Sequence, residues 1–146
     1  MGTIVLTTDL SEAAERATNP TLELAANLGH EVVLLHVVQE LKAAPHGAPL
    51  APPVSPPDTA ERLEEMRKEL DAKAAELDGD VPVSAEVIGA EDVAKAVAKF
   101  AAERGAAFLA VSTHGRSGVR HLVLGSVAEA ILRHARTPVV CFPQKA

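Results

Sequence analysis

Apolar positions along the chain fall into two kinds of run. Four are short and nearly continuous: Thr3 to Thr7, Glu31 to Val38, Phe108 to Val111 and Val139 to Phe142. Strands buried on both faces of a parallel sheet have this look. A fifth run, Val81 to Ile88, alternates, with Val81, Val83, Ala85 and Val87 on one side. That predicts a strand with one better-buried face, near a sheet edge. Between the strands the apolar residues recur at helical spacing. Ser11 is placed to cap a helix that Pro20 must kink or break near Thr18 and Asn19, because proline removes a hydrogen bond and crowds the preceding turn. The pattern resumes with Leu22, Leu24, Ala25 and Leu28, and Gly29 closes it. Asp58 caps a long amphipathic helix with Leu63, Met66, Leu70 and Leu77 on one face and charges on the other, ended by Gly79. Glu91 to Arg104 forms the next, with Val93, Val97, Phe100 and Ala101 inward and Gly105 as terminator. Gly125 to Ala135 forms the last, and Pro138 follows it.

The order is βαβαβαβαβ. Such alternation means an α/β fold: an open five-stranded parallel sheet of Rossmann-like type, joined by right-handed crossovers and covered by helices on both faces. Ligands of such sheets bind beyond the C-terminal strand ends, where the strand order reverses. Asp9 and Ser112 stand at two of those ends. At 146 residues the chain reads as a single domain, residues 1–146. It is interrupted at about 42–58 by a segment with six prolines and no apolar periodicity. The flanks are too short to fold apart, so this is a surface excursion, either without a job or serving as a lid or partner surface.

Charge narrows the partners. A net charge of −6, with three Phe and no Trp or Tyr, argues against nucleic acid and anionic membrane surfaces. There is no secretory core and no apolar span of membrane length, so a cytoplasmic location is expected. Cys141 is the only cysteine and reads as a buried inert thiol. His114, His121 and His134 lack metal-ligand spacing, and His36 reads as a core or site-edge residue. No nucleophile, base and orienting group can be assembled, so no dedicated catalysis is expected.

The chemistry converges on Val111 to Val127, V-S-T-H-G-R-S-G-V-R-H-L-V-L-G-S-V. It runs strand, glycine-bearing loop, helix N-terminus. Glycines let a ligand approach the backbone, and the helix start offers unpaired N–H groups and a positive dipole end to an anion. Ser126 followed by Glu129 has the spacing of a capping box, so Ser126 either caps its own helix or faces a phosphate. Arg116 is placed to add charge-assisted hydrogen bonds. The dinucleotide fingerprint is missing, because T-D-L-S follows the first strand, and no Walker lysine motif occurs.

Gly115, nine residues, then Gly125-Ser126, with T-D-L-S at the opposite strand end, resembles the universal stress protein family. So do the opening I-V-L-T-T-D-L-S-E-A-A and the strand L-L-H-V, and the likeness covers essentially the whole chain. The resemblance implies an adenine nucleotide alpha hydrolase-like fold that binds ATP or AMP as a regulatory ligand in a stress response, usually as a homodimer. The nucleotide-binding members carry Gly, two residues, Gly, nine residues, Gly, then Ser or Thr. Here Ser112 stands in the first place, followed by Gly115, Gly125 and Ser126. Carried across, Thr8 and Asp9 border base and ribose, and Val37 offers backbone groups to adenine. Val111 and Ser112 line the ribose side, while Gly115, Arg116, Gly125, Ser126 and Val127 surround the phosphates. Mg²⁺ arrives with the nucleotide, through phosphates and water. Two other readings stand beside this one: a nucleotide-free interaction module, given Ser112, and an enzyme limited to slow ATP hydrolysis or adenylyl transfer. The apolar last strand, Val139 to Phe142, is expected to be a sheet edge that a second copy covers.

Overall fold

The computed structural model describes residues 1–40, 59–113 and 124–143. Its elements are β1 (Thr3–Thr7), α1 (Glu12–Glu15), α2 (Thr18–Leu28), β2 (Glu31–Gln39), α3 (Thr59–Leu77), β3 (Val83–Ala90), α4 (Val93–Glu103), β4 (Phe108–Ser112), α5 (Ser126–His134) and β5 (Val139–Phe142). The strands form one sheet in the order β3-β2-β1-β4-β5, and every pairing is parallel. The proline-rich segment at 42–58, with Asp58, lies outside the described residues.

Continuous apolar strands make sense once both faces are seen to be covered. Successive side chains of a strand point to opposite faces. Ile4 and Leu6 of β1, with Val32 and Leu34 of β2, join a core with Ala25 of α2 and Leu70 and Ala74 of α3. Val5, Val33 and Leu35 join another with Val97 and Ala101 of α4 and Ala128 and Ile131 of α5. The Leu63, Met66, Leu70, Leu77 stripe of α3 faces the first core as its spacing requires. Leu28, apolar in the periodic pattern, is 44% exposed, whereas Thr21 is fully buried. Thr21 hides its polarity by donating from Oγ1 to the Ala17 carbonyl, 2.7 Å away.

Local punctuation mostly sits where the sequence puts it. The break forced by Pro20 falls slightly earlier than expected, between Glu15 and Thr18. Pro20 thus lies in the first turn of α2, where its missing N–H would have had no partner in the helix. Gly29 closes α2 with φ +66°, the left-handed conformation that glycine adopts without strain. Asp92, rather than Glu91, starts α4, its carboxylate accepting from the Lys95 N–H at 3.1 Å. The third strand begins two residues later than the alternation indicates and runs to Ala90. It forms one edge of the sheet, and β5 forms the other.

Candidate functional site

Because β1 connects to β2 on one side and β4 to β5 on the other, the chain parts in opposite directions between β1 and β4. A crevice opens beyond their C-terminal ends, with a cavity of about 410 Å³. Its floor is aliphatic: Leu35 and Val37 of β2, Val111 of β4, Val97 of α4 and Ile131 of α5. Its polar lining comes from Thr8, Asp9, His36, Ser112, Thr113 and Ser126, of which Thr113 is buried. Ligand pockets of roughly 300–1,000 Å³ commonly combine such an apolar floor with a few placed polar groups.

On the β1 side, the loop Thr8 to Ser11 is tied from within. The Thr8 N–H donates to the Leu35 carbonyl at 2.9 Å, continuing the sheet pattern one residue past the strand. The Leu10 N–H donates to Thr8 Oγ1 at 3.0 Å, and the Ser11 N–H to Asp9 Oδ1 at 3.0 Å. Ser11 Oγ also donates to Asp9 Oδ1 and accepts from the Ala14 N–H at 3.1 Å, capping α1. Asp9 therefore has its carboxylate fixed by the start of α1. The geometry carries strain: Leu10 has φ +64°, a left-handed conformation that costs a non-glycine residue on the order of 1–2 kcal/mol. From β2, the His36 ring meets the Thr8 carbonyl, Nδ1 to O 2.8 Å.

On the β4 side, the helix start differs from the expected capping box. The N-cap of α5 is Gly125, in extended backbone (φ −68°, ψ 163°), and among the described residues no side chain caps the helix start. Ser126 is already the first helical residue. Glu129 is consequently one position too far along to reach back, and it accepts instead from Arg133 at 2.7 Å. The first N–H groups of α5 have no carbonyl within the helix to reach. Ser126, Val127 and Ala128 border the cavity there. The Gly125 N–H donates to the Thr113 carbonyl, which ties the helix start to the end of β4. Ser112 is ordinary strand, paired with Phe142 of β5, and Leu10 is the one non-glycine with positive φ among the described residues. A serine in place of the first signature glycine therefore costs the backbone nothing at this position.

Of the ten residues expected at the site, Thr8, Asp9, Val37, Val111, Ser112, Gly125, Ser126 and Val127 all line this one cavity. Gly115 and Arg116 lie outside the described residues, as do His114, Gly118 and His121. His134 is exposed at the far end of α5. Sequence reasoning missed Gln39, Val93 and Thr113, which also line the cavity. Gln39 had a usable signal, since it follows Val37 by two and so shares its side of β2. Among the described residues no three His, Cys, Asp or Glu side chains converge as a metal site would require. None of their helices is long and apolar enough to cross a membrane. Cys141 is half-buried, and that burial pushes its thiol pKa up.

A doubly wound parallel sheet with a crevice at its switch point and an uncapped helix beside it places the chain in the class of open α/β proteins whose ligand sites lie at strand C-termini. Within that class it belongs to the universal stress protein family, whose model matches residues 1–143. A universal stress protein of Mycobacterium tuberculosis is 30% identical over 132 residues, which are 90% of this chain but 42% of that protein. The chain thus spans less than half the length of that relative. A protein of the family from Burkholderia pseudomallei, known as a crystal structure, has a TM-score of 0.72 at 29% identity, covering 98% of this chain and 96% of that one. The universal stress protein of Archaeoglobus fulgidus, solved in complex with dAMP, has the same fold at TM-score 0.65 and 19% identity, covering 97% and 96%.

Proposed function

We propose that the crevice binds an adenine nucleotide, ATP or AMP, as a regulatory ligand. The observation that carries this reading is the uncapped start of α5 at the wall of an aliphatic cavity. A helix that spends no side chain on its own first turn leaves its N–H groups and positive dipole end to an anion from outside. The dAMP complex of the Archaeoglobus relative supports the choice of base. In this reading Val37 presents backbone groups to adenine, Thr8 and Asp9 border base and ribose, and Val111 and Ser112 line the sugar. Gly125, Ser126 and Val127, with Gly115 and Arg116 of the preceding loop, surround the phosphates. Mg²⁺ enters on the phosphates. The protein acts in a cytoplasmic stress response as one domain, with β5 as the edge through which two copies pair.

The test is direct. Freshly purified protein is denatured, the supernatant is chromatographed for adenine nucleotides, and the protein is then titrated with ATP and AMP. Co-purified nucleotide or saturable binding below millimolar concentration is the expected result. A clean supernatant with no binding would overturn the reading. It would leave the second one, an interaction module of the same fold, which Ser112 favours by placing a side chain where the signature has glycine. Turnover of MgATP, measured in the same preparation, separates a regulatory ligand from a substrate.

A further inference from the structure

We infer that His36 is a positioning residue for the nucleotide loop: its ring aims the Thr8–Asp9 peptide, and with it the Asp9 wall of the crevice. The inference rests on the nucleotide reading above for its functional consequence, and on geometry for its mechanism. A carbonyl oxygen can only accept, so the contact of 2.8 Å between Nδ1 and the Thr8 carbonyl makes Nδ1 the protonated ring nitrogen. The ring is only half-buried and lines the cavity, so it is placed to serve the rim rather than the core.

The need for such a bond comes from the loop. Thr8 is the last residue held by the sheet ladder, through its N–H to the Leu35 carbonyl. Its carbonyl is the first group that the ladder does not hold. Two residues on, Leu10 is in the left-handed region. The peptide after Thr8 therefore joins a regular strand to a strained turn, and relaxation of Leu10 would rotate it. Rotation would carry Asp9, and the Ser11 contacts of its carboxylate, away from the crevice. The His36 bond opposes that rotation from the neighbouring strand. The turn's own bonds, Leu10 N–H to Thr8 Oγ1 and Ser11 N–H to Asp9 Oδ1, move with the loop and cannot anchor it to the sheet.

The experiment compares wild type, His36→Leu and His36→Asn. Asparagine can place an amide N–H where Nδ1–H stands, whereas leucine keeps bulk without a donor. Loss of one hydrogen bond that holds a binding loop is expected to weaken AMP binding about tenfold in His36→Leu, and the asparagine variant should stay within about threefold of wild type. Equal binding by wild type and His36→Leu, or equal weakening in both variants, would overturn the inference. Nuclear magnetic resonance of the unliganded protein supplies a readout that needs no nucleotide. The wild-type ring should be the Nδ1–H tautomer. The Leu10 and Ser11 amides should exchange about tenfold faster in His36→Leu and recover in His36→Asn. An Nε2–H tautomer, or exchange indifferent to the substitution, would refute the positioning role even if nucleotide binds. If wild type binds no nucleotide while tautomer and exchange behave as stated, the nucleotide reading fails and the loop anchor stands.

Discussion

At the scale of single residues, Gly125 decides what the start of α5 can do. Its backbone, φ −68° and ψ 163°, is one that any residue adopts, so glycine is not required there for conformation. What glycine does is leave the cap empty. Gly125→Asp should therefore stabilise the protein slightly, by about 0.5 kcal/mol, since a carboxylate caps well and suits the dipole. The same carboxylate would occupy the N–H groups and repel phosphate, so nucleotide affinity should fall at least about tenfold. Thermal melting and calorimetric titration of the variant read the two effects separately; affinity equal to wild type would put the phosphates elsewhere. The sequence placed both Gly125 and Ser126 at this spot and left Ser126 to be either the cap or a phosphate contact, whereas the N-cap is Gly125. The reason is physical. The cap is fixed by where the chain leaves extended backbone for helix, and a one-residue shift in that point is invisible to residue type. Thr21 was hidden in another way, because its hydroxyl is paired inside its own helix while its body packs as an apolar group would.

At the scale of elements, far more was legible. Strands buried on both faces leave little choice of residue, and Ile4, Val5 and Leu6 are at most 1% exposed in consequence. The long stripe of α3 and the alternation of β3 were equally plain, because each records which side meets the core. Element ends depended on single caps. Asp92→Ala should cost about 1 kcal/mol, read by urea unfolding, since Asp92 supplies the one side-chain cap of α4. The short α1 is held to α3 by the Lys73–Glu15 ion pair, and the hydrogen bond that Lys73 donates to the Glu15 carboxylate raises the Lys73 pKa against some loss from burial. A lysine whose folded pKa is raised contributes its full stability below the unfolded value, ~10.4, and loses it as pH rises through the folded one. With 31% and 54% of the two side chains exposed, the pair is worth about 0–1 kcal/mol. Lys73→Met should thus be less stable than wild type by that amount at neutral pH. The gap should close at alkaline pH beyond the lysine range; a gap that persisted there would mean lost packing and not lost charge.

At the scale of the whole molecule, β5 is one of the two edges of the sheet, opposite β3. Light scattering at micromolar concentration should give the mass of two chains. Val140→Lys should give one, because an edge lysine is the usual guard against strand-to-strand pairing. Wild type of single-chain mass would remove β5 as the interface. The pairing of β1 with β4 has another consequence, for the protein's birth. Thr7 and Ala110 meet across the sheet although 103 positions separate them. A polypeptide leaving the ribosome from its N-terminus carries one lip of the crevice long before the other has been synthesised. Closing a loop of that span is slow beside the formation of helices and local turns. A molecule that fits the crevice can stabilise only the finished protein, never a nascent or truncated chain that stops short of β4. Its cellular pool would serve as a check on completeness, sparing whole copies from proteolysis and leaving fragments to it.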